Sequence, residues 1–310
     1  MTSASHHILA AIGNTPLVEL RKVVPKGGAR VVAKLEGANP TGSMKDRMAM
    51  SMIEAAEADG TLKPGGRVVE FTGGSTGTSL AMVCAAKGYR LSIVTSNAAS
   101  MEKRQHMKAL GAEMTVLHSE GAKVTNELFK ALLAESEKIA HETGAFWTNQ
   151  FKNLNQAAGY KNLGQEIWDQ TSGRVDAFVH VVGTCGSLRG VASSLRQHNP
   201  KVHVVAVEPA ESSVLSGGTP GSHRIEGVGI GQVPFLWDAR LVDSFEKVST
   251  QDAEEMARRL AREEGIFAGT SSGANVVAAN RVAEKLGPQT TVAIILVDNG
   301  LKYLSTDLFK

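Results

Sequence analysis

Lys45 is the residue whose type and setting most directly suggest chemistry. It stands in NPTGSMKDR, residues 39–47, after a Pro-Thr-Gly-Ser turn and before an alanine-rich run, 48–58, with helical apolar spacing. That spacing puts an amine at the mouth of a helix, where backbone N–H groups and the helix dipole disfavour its positive charge. A lysine kept partly neutral attacks an aldehyde and forms a Schiff base. Taken alone, the segment reads equally well as a solvated first-turn lysine.

Three glycine-rich segments carry further donors. GTCGSLRG, 183–190, follows an apolar, β-branched run and precedes a helix-compatible stretch, 188–197. A strand, a glycine turn and a helix start offer converging N–H groups to a phosphate, although many such turns hold glycine for steric reasons alone. The spacing is not that of a Walker loop and no acidic ribose partner follows, so nucleotide binding is not favoured. FTGGSTGTS, 71–79, can wrap a small anion with backbone and hydroxyl donors, or be a tight entry turn to a helix over 80–86. AGTSSGAN, 268–275, enters a small-residue helix, and capping of that helix is the default role of Ser271 or Ser272.

In this order, the four segments resemble the cysteine synthase (O-acetylserine sulfhydrylase) and cystathionine β-synthase family of fold-type II pyridoxal-phosphate enzymes. The resemblance runs nearly end to end, through IGNTPLVEL (12–20), MEKRQHMKALGAE (101–113), GQEIW (164–168), VAVEP (205–209), IEGVGIGQVP (225–234), EEGIFAGTSSGA (263–274) and YLSTDLF (303–309). It implies a tryptophan synthase β-like α/β fold of two three-layer α/β/α domains with a cofactor cleft between them. The smaller domain would span 39–148, and 1–38 with 149–310 would form the larger. Lys45 would hold pyridoxal 5'-phosphate as a Schiff base. Gly183, Thr184, Cys185, Gly186 and Ser187 would cradle its phosphate, and Ser271 would bond the pyridine nitrogen. A neutral hydroxyl there does not hold the ring nitrogen protonated, which favours elimination of a β leaving group over transamination. Thr72, Gly73, Gly74, Ser75 and Thr76 would bind the amino-acid carboxylate with Gln150, and Gly227 and Ile230 would complete the substrate site. The implied reaction is β-replacement on an activated serine by sulfide or a similar small nucleophile, with Lys45 moving the α-proton.

Three departures qualify the implied specificity. The family's substrate loop reads T-S-G-N-T-G, so Gly73 removes one hydroxyl donor and Ser75 replaces an asparagine that reaches the cofactor ring. The phosphate loop reads G-T-G-G-T, and here Cys185 takes the third place. A cysteine tolerates positive φ poorly, so the loop there is either ordinary in conformation or strained; a reactive thiol is the minor reading beside a small buried filler. Ile230 stands where cysteine synthases tend to have a small residue and cystathionine β-synthases a tyrosine, which argues against a large polar second substrate. Two alternatives remain: a serine/threonine ammonia-lyase, and a low-activity cofactor-binding relative that acts through a protein partner.

The elements that must position these residues follow the alternating α/β pattern. Strands are expected over 30–35, 67–71, 90–95, 113–116, 175–182, 202–207 and 291–297, and helices over 101–110, 123–141, 155–169, 251–264 and 275–285. The glycine-rich stretch 212–233 reads as a long functional loop. With 33 basic against 31 acidic residues, the chain is too balanced to favour nucleic acid or membrane partners. Two cysteines, Cys84 and Cys185, imply no disulfide framework, and with no signal peptide or apolar span the expected home is the cytoplasm. No metal is expected, since no histidine/carboxylate cluster has ligand spacing. A homodimer, with serine acetyltransferase as a candidate partner, is implied by resemblance only.

Overall fold

The computed structural model describes residues 7–119 and 125–310. Along the chain lie β1 (Leu17–Glu19), β2 (Arg30–Leu35), α1 (Lys45–Ala58), β3 (Arg67–Phe71), α2 (Ser75–Lys87), β4 (Arg90–Ser96), α3 (Met101–Ala109) and β5 (Glu113–Leu117). Then come α4 (Asn126–Thr143), β6 (Phe146–Trp147), α5 (Gln156–Gln170), β7 (Ala177–Val181), α6 (Gly186–His198) and β8 (His203–Pro209). The chain continues through β9 (Ser244–Val248), α7 (Thr250–Arg259), α8 (Thr270–Leu286) and β10 (Thr291–Leu296). Of the helix expected over 123–141, residues 123 and 124 lie outside the described residues.

Two compact units emerge. The first comprises Asn39–Gln156 with the N-terminal segment ending at Ile12, and the second comprises Gly13–Ala38 and Ala157–Lys310. The first reaches past the expected 148 because Gln150 and Gln156 are tied into it: Gln150 bonds Thr76 and the Phe71 carbonyl, and Gln156 bonds the Gln150 carbonyl.

In the first unit the parallel sheet has the order β5-β4-β3-β6. Val69, Phe71 and Val94 on one face pack against Phe129 and Leu132 of α4. Phe71, Phe129 and Phe151 close this core as a ring cluster, with centroids 5.2–5.9 Å apart. Side chains alternate along β3, so Glu70 leaves the face that Val69 and Phe71 share.

In the second unit the order is β1-β2-β10-β7-β8-β9, parallel except for β1. Every residue of β7 and β10 is buried, as expected of central parallel strands covered on both faces. The three-residue β1, the two-residue β6 and the five-residue edge strand β9 are not among the strands expected from sequence. At the end of α7 the expected helix over 251–264 changes to a π-turn, Leu260–Glu264, closed by Gly265 at φ 71°.

The helix starts differ systematically from expectation. Observed helices begin at Ser75, Gly186 and Thr270, against the expected 80, 188 and 275. The small hydroxyl and glycine residues of each motif therefore form the first helical turn, not a loop preceding it.

Candidate active site

In the first unit, Lys45 is the first residue of α1 and is half-buried, its backbone N–H donating to Ser43 Oγ at 3.3 Å. The turn that delivers it is anchored by Asp46. This carboxylate has no exposed surface; its Oδ2 accepts the Thr41 N–H at 2.8 Å and its Oδ1 accepts the Thr41 hydroxyl. Negative charge in a first helical turn is favoured by the dipole, which offsets part of the cost of burying it. Gly42, at φ 75°, closes the turn with a 2.7 Å bond to the Asn39 carbonyl. Sequence reading passed over Asp46, although a carboxylate beside a helix-opening lysine is a recognisable first-turn signal.

Residues 72–76 leave the C-terminal end of β3. Thr72 is held on the sheet by its N–H bond to Val94, and its hydroxyl accepts the Gly74 N–H at 3.1 Å. Ser75 and Thr76 open α2. Thr76 donates to Gln150 Oε1 at 2.7 Å, and Gln150 Nε2 donates to the Phe71 carbonyl at 3.0 Å, so Gln150 is brought to the loop as expected.

Behind them sits Glu70, wholly buried, accepting from the Thr148 hydroxyl and from the Gln150 N–H at 3.0 Å. Burial pushes its carboxyl up to about 7, against the opposing pull of these hydrogen bonds. Its other oxygen, Oε1, is buried without a hydrogen-bond partner. Glu70 was not legible as a site residue; it looked like one more strand position.

Space differs from glycine to glycine. A Cβ on Gly77 would lie 2.3 Å from Met107 Sδ and 2.7 Å from Thr72 Cγ2, so that glycine is needed for packing. On Gly73 it would meet only Ala99 Cβ, at 3.8 Å, and on Gly74 only Lys103 Cδ, at 3.8 Å.

In the second unit, residues 183–187 follow β7. Gly183 is required by a close backbone approach: a Cβ there would fall 2.4 Å from the Gly227 carbonyl oxygen. Gly227 itself is at φ 78°, and Gly229 bonds the Val182 carbonyl at 3.1 Å, which lays the 225–234 segment along the loop. Cys185 resolves the alternative left open by sequence: it is left-handed, φ 72° and ψ −7°, directly before α6. For a non-glycine residue that conformation costs roughly 1–2 kcal/mol. The reactive-thiol reading is corrected, since burial pushes the Cys185 thiol up to about 12, as it does Cys84.

Ile230 lines a small pocket with Gly183, Glu208, Leu215 and Pro234. Glu208 fixes the wall of that pocket by accepting the Leu215 and Ser216 N–H groups at 2.6 and 2.9 Å.

The capping role expected of Ser271 or Ser272 is also corrected. Gly269 is the residue before α8, and both serines lie buried within the first turn. Ser272 Oγ instead accepts the Val297 N–H at 2.8 Å. Gly269 is fixed by Tyr303 and Asp298, whose hydroxyl–carboxylate bond is 2.7 Å; a Cβ would meet the Tyr303 ring at 2.4 Å.

These residues fit pyridoxal phosphate. A bare glycine backbone against a second backbone, at the start of a long helix, suits a phosphate dianion. Ser271 is a buried neutral hydroxyl, and Lys45 is an amine at a sheltered helix start. Among the described residues no group of three histidine, cysteine or carboxylate side chains could hold a metal ion, and no helix is long and apolar enough to cross a membrane.

Residues 8–298 match the pyridoxal-phosphate dependent enzyme family, and the chain belongs to it. Within that family it is similar to a cysteine synthase of Staphylococcus aureus (strain Mu50), 43% identical over 305 residues, 98% of this chain and 96% of that one. Among solved structures it is similar to a cysteine synthase of Entamoeba histolytica, with a TM-score of 0.92 and 38% identity over 99% of this chain and 91% of that one. An O-ureido-L-serine synthase aligns with a TM-score of 0.89 and 38% identity over 97% of this chain and 94% of that one. The fold is that of a fold-type II pyridoxal-phosphate enzyme.

Proposed function

We propose that this chain catalyses pyridoxal-phosphate-dependent β-replacement: an activated serine such as O-acetylserine reacts with sulfide to give L-cysteine and acetate. The observation that carries this reading is the 43% identity to a cysteine synthase over 98% of the chain, with Lys45 at the opening of α1. When bound, the cofactor supplies an electron sink for the substrate's α-carbon.

Lys45 Nζ would hold the cofactor's aldehyde carbon and, once released by the incoming amino acid, take the proton from the substrate's α-carbon and later return it there. Gly183, Thr184, Cys185, Gly186 and Ser187 would bind the phosphate. Ser271 would bond the pyridine nitrogen and Ser75 would face the ring. Thr72, Gly73, Gly74, Thr76 and Gln150 would bind the carboxylate, with Glu70 and Thr148 holding Gln150. Gly227 and Ile230 would border the second substrate, where the isoleucine favours a small nucleophile. The roles of the two units follow: the first, with Asn39–Gln156, would carry the lysine and substrate loop, and the second, Gly13–Ala38 with Ala157–Lys310, the phosphate loop. A homodimer in the cytoplasm, and docking of serine acetyltransferase, complete the proposal.

The test is cysteine formation from O-acetylserine and sulfide by the cofactor-loaded chain. Release of pyruvate and ammonia from serine, without cysteine formation, would replace this reading with a lyase.

A further inference from the structure

Behind the phosphate loop lies a buried polar chain that the family resemblance leaves unused. Asn275 of α8 has no exposed surface, and its amide orientation is set by the backbone on two sides. Oδ1 accepts the Val181 N–H at 2.6 Å, and Nδ2 donates to the Ile295 carbonyl at 2.7 Å. The second Nδ2 hydrogen is directed to His180 Nδ1, 3.3 Å away.

An Nδ1 that accepts a hydrogen bond carries no proton, so the neutral imidazole keeps its proton on Nε2. That Nε2 lies 2.8 Å from Ser187 Oγ. The serine oxygen therefore accepts from His180, and its own proton is left to donate elsewhere. Ser187 is the second residue of α6, where the first N–H groups of a helix are aimed at an anion. A hydroxyl that already accepts one hydrogen bond is polarised into a better donor, and more so where water is excluded. His180 is fully buried and stacks on Phe178 at 5.7 Å, so its ring is fixed in place.

We propose that His180 is a positioning residue: held in its Nε2–H form by Asn275, it turns the Ser187 hydroxyl into a committed donor for the phosphate of pyridoxal phosphate. This rests on the reading of residues 183–187 as the phosphate cradle. It does not depend on the nucleophile or the leaving group.

The experiment is a titration of the apo chain with pyridoxal phosphate, alongside the ³¹P resonance of the bound phosphate and ¹⁵N NMR of the imidazole. Ser187→Ala and His180→Leu are each expected to weaken cofactor binding by roughly tenfold and to shift the ³¹P resonance alike. The double variant should bind about as well as either single one, because the two residues act as one donor. His180→Gln, which keeps an N–H donor, should recover part of the loss.

Should His180→Leu fail to fold by circular dichroism, the wild-type chain alone decides: its ¹⁵N shifts must report Nε2–H, and an Nδ1–H or doubly protonated ring overturns the inference. So does an additive double variant, or a His180→Leu chain that binds as tightly as wild type. A wild-type chain that takes up no cofactor overturns this inference together with the cradle. Because the readout is cofactor affinity and not turnover, failure of the cysteine-forming reaction leaves the test standing.

Discussion

The loop after β3 and the loop after β7 share one plan, strand then glycine-rich turn then helix, yet they are built to different tolerances. Each is backed by a buried titratable side chain: Glu70 through Gln150 to Thr76, and His180 directly to Ser187. At the start of the second loop, Gly183 is jammed against the Gly227 carbonyl, and Cys185 is held in a left-handed conformation. The first leaves ordinary van der Waals room around Gly73 and Gly74. The difference teaches that the loop after β7 is constrained at its backbone and the loop after β3 at its supporting side chains. Only the latter has room to vary what it recognises without refolding.

The sharpest way to break this contrast is Gly183→Ala. The added methyl has nowhere to go but into a backbone oxygen, so we expect a loss of about 2–3 kcal/mol in thermal unfolding and a collapse of cofactor affinity. A stable, cofactor-binding Gly183→Ala chain would show the loop to be as forgiving as its counterpart.

The next effect is on the other support. The Glu70 carboxyl is raised from 4.5 to about 7 in the folded chain, so across that interval the native state holds a proton that the unfolded state has lost. Stability from this group is therefore fully present below about pH 4.5 and falls as pH rises through about 7. The total is of order 3 kcal/mol. Denaturant melts at stepped pH should show that decline in the wild type and a flatter profile in Glu70→Gln; identical slopes would remove Glu70 from the account.

Smallest is Gly73→Ser. Stability should change by less than about 0.5 kcal/mol. The restored hydroxyl should lower KM for the activated serine by up to roughly tenfold, with kcat little altered. A destabilised variant would mean that the loop is tighter than the packing around Gly73 indicates.

Much of this was legible in the sequence. The buried strands Arg67–Phe71 and Thr291–Leu296 are legible in their β-branched runs, as are the opening of α1 at Lys45 and the strand-to-helix setting of the two glycine loops. The helix starts were misplaced because Gly, Ser and Thr read locally as turn formers. Their helical first turns at Ser75, Gly186 and Thr270 are imposed by tertiary packing, such as Gly77 against Met107 and Ser272 against Val297. Asp46, Glu70, His180 and Asn275 escaped notice for another reason. Each matters through a partner distant in sequence or across a turn, and a single chain read in order does not display such pairs.

The measurement that tests the central claim most directly is the visible absorbance of the cofactor-loaded chain and of Lys45→Ala, before and after O-acetylserine and then sulfide. The account predicts a yellow wild-type chain whose band is displaced by O-acetylserine and restored by sulfide as cysteine appears, and a Lys45→Ala chain that binds cofactor without that cycle. A wild-type spectrum indifferent to O-acetylserine, or a Lys45→Ala chain that cycles as the wild type does, would contradict it.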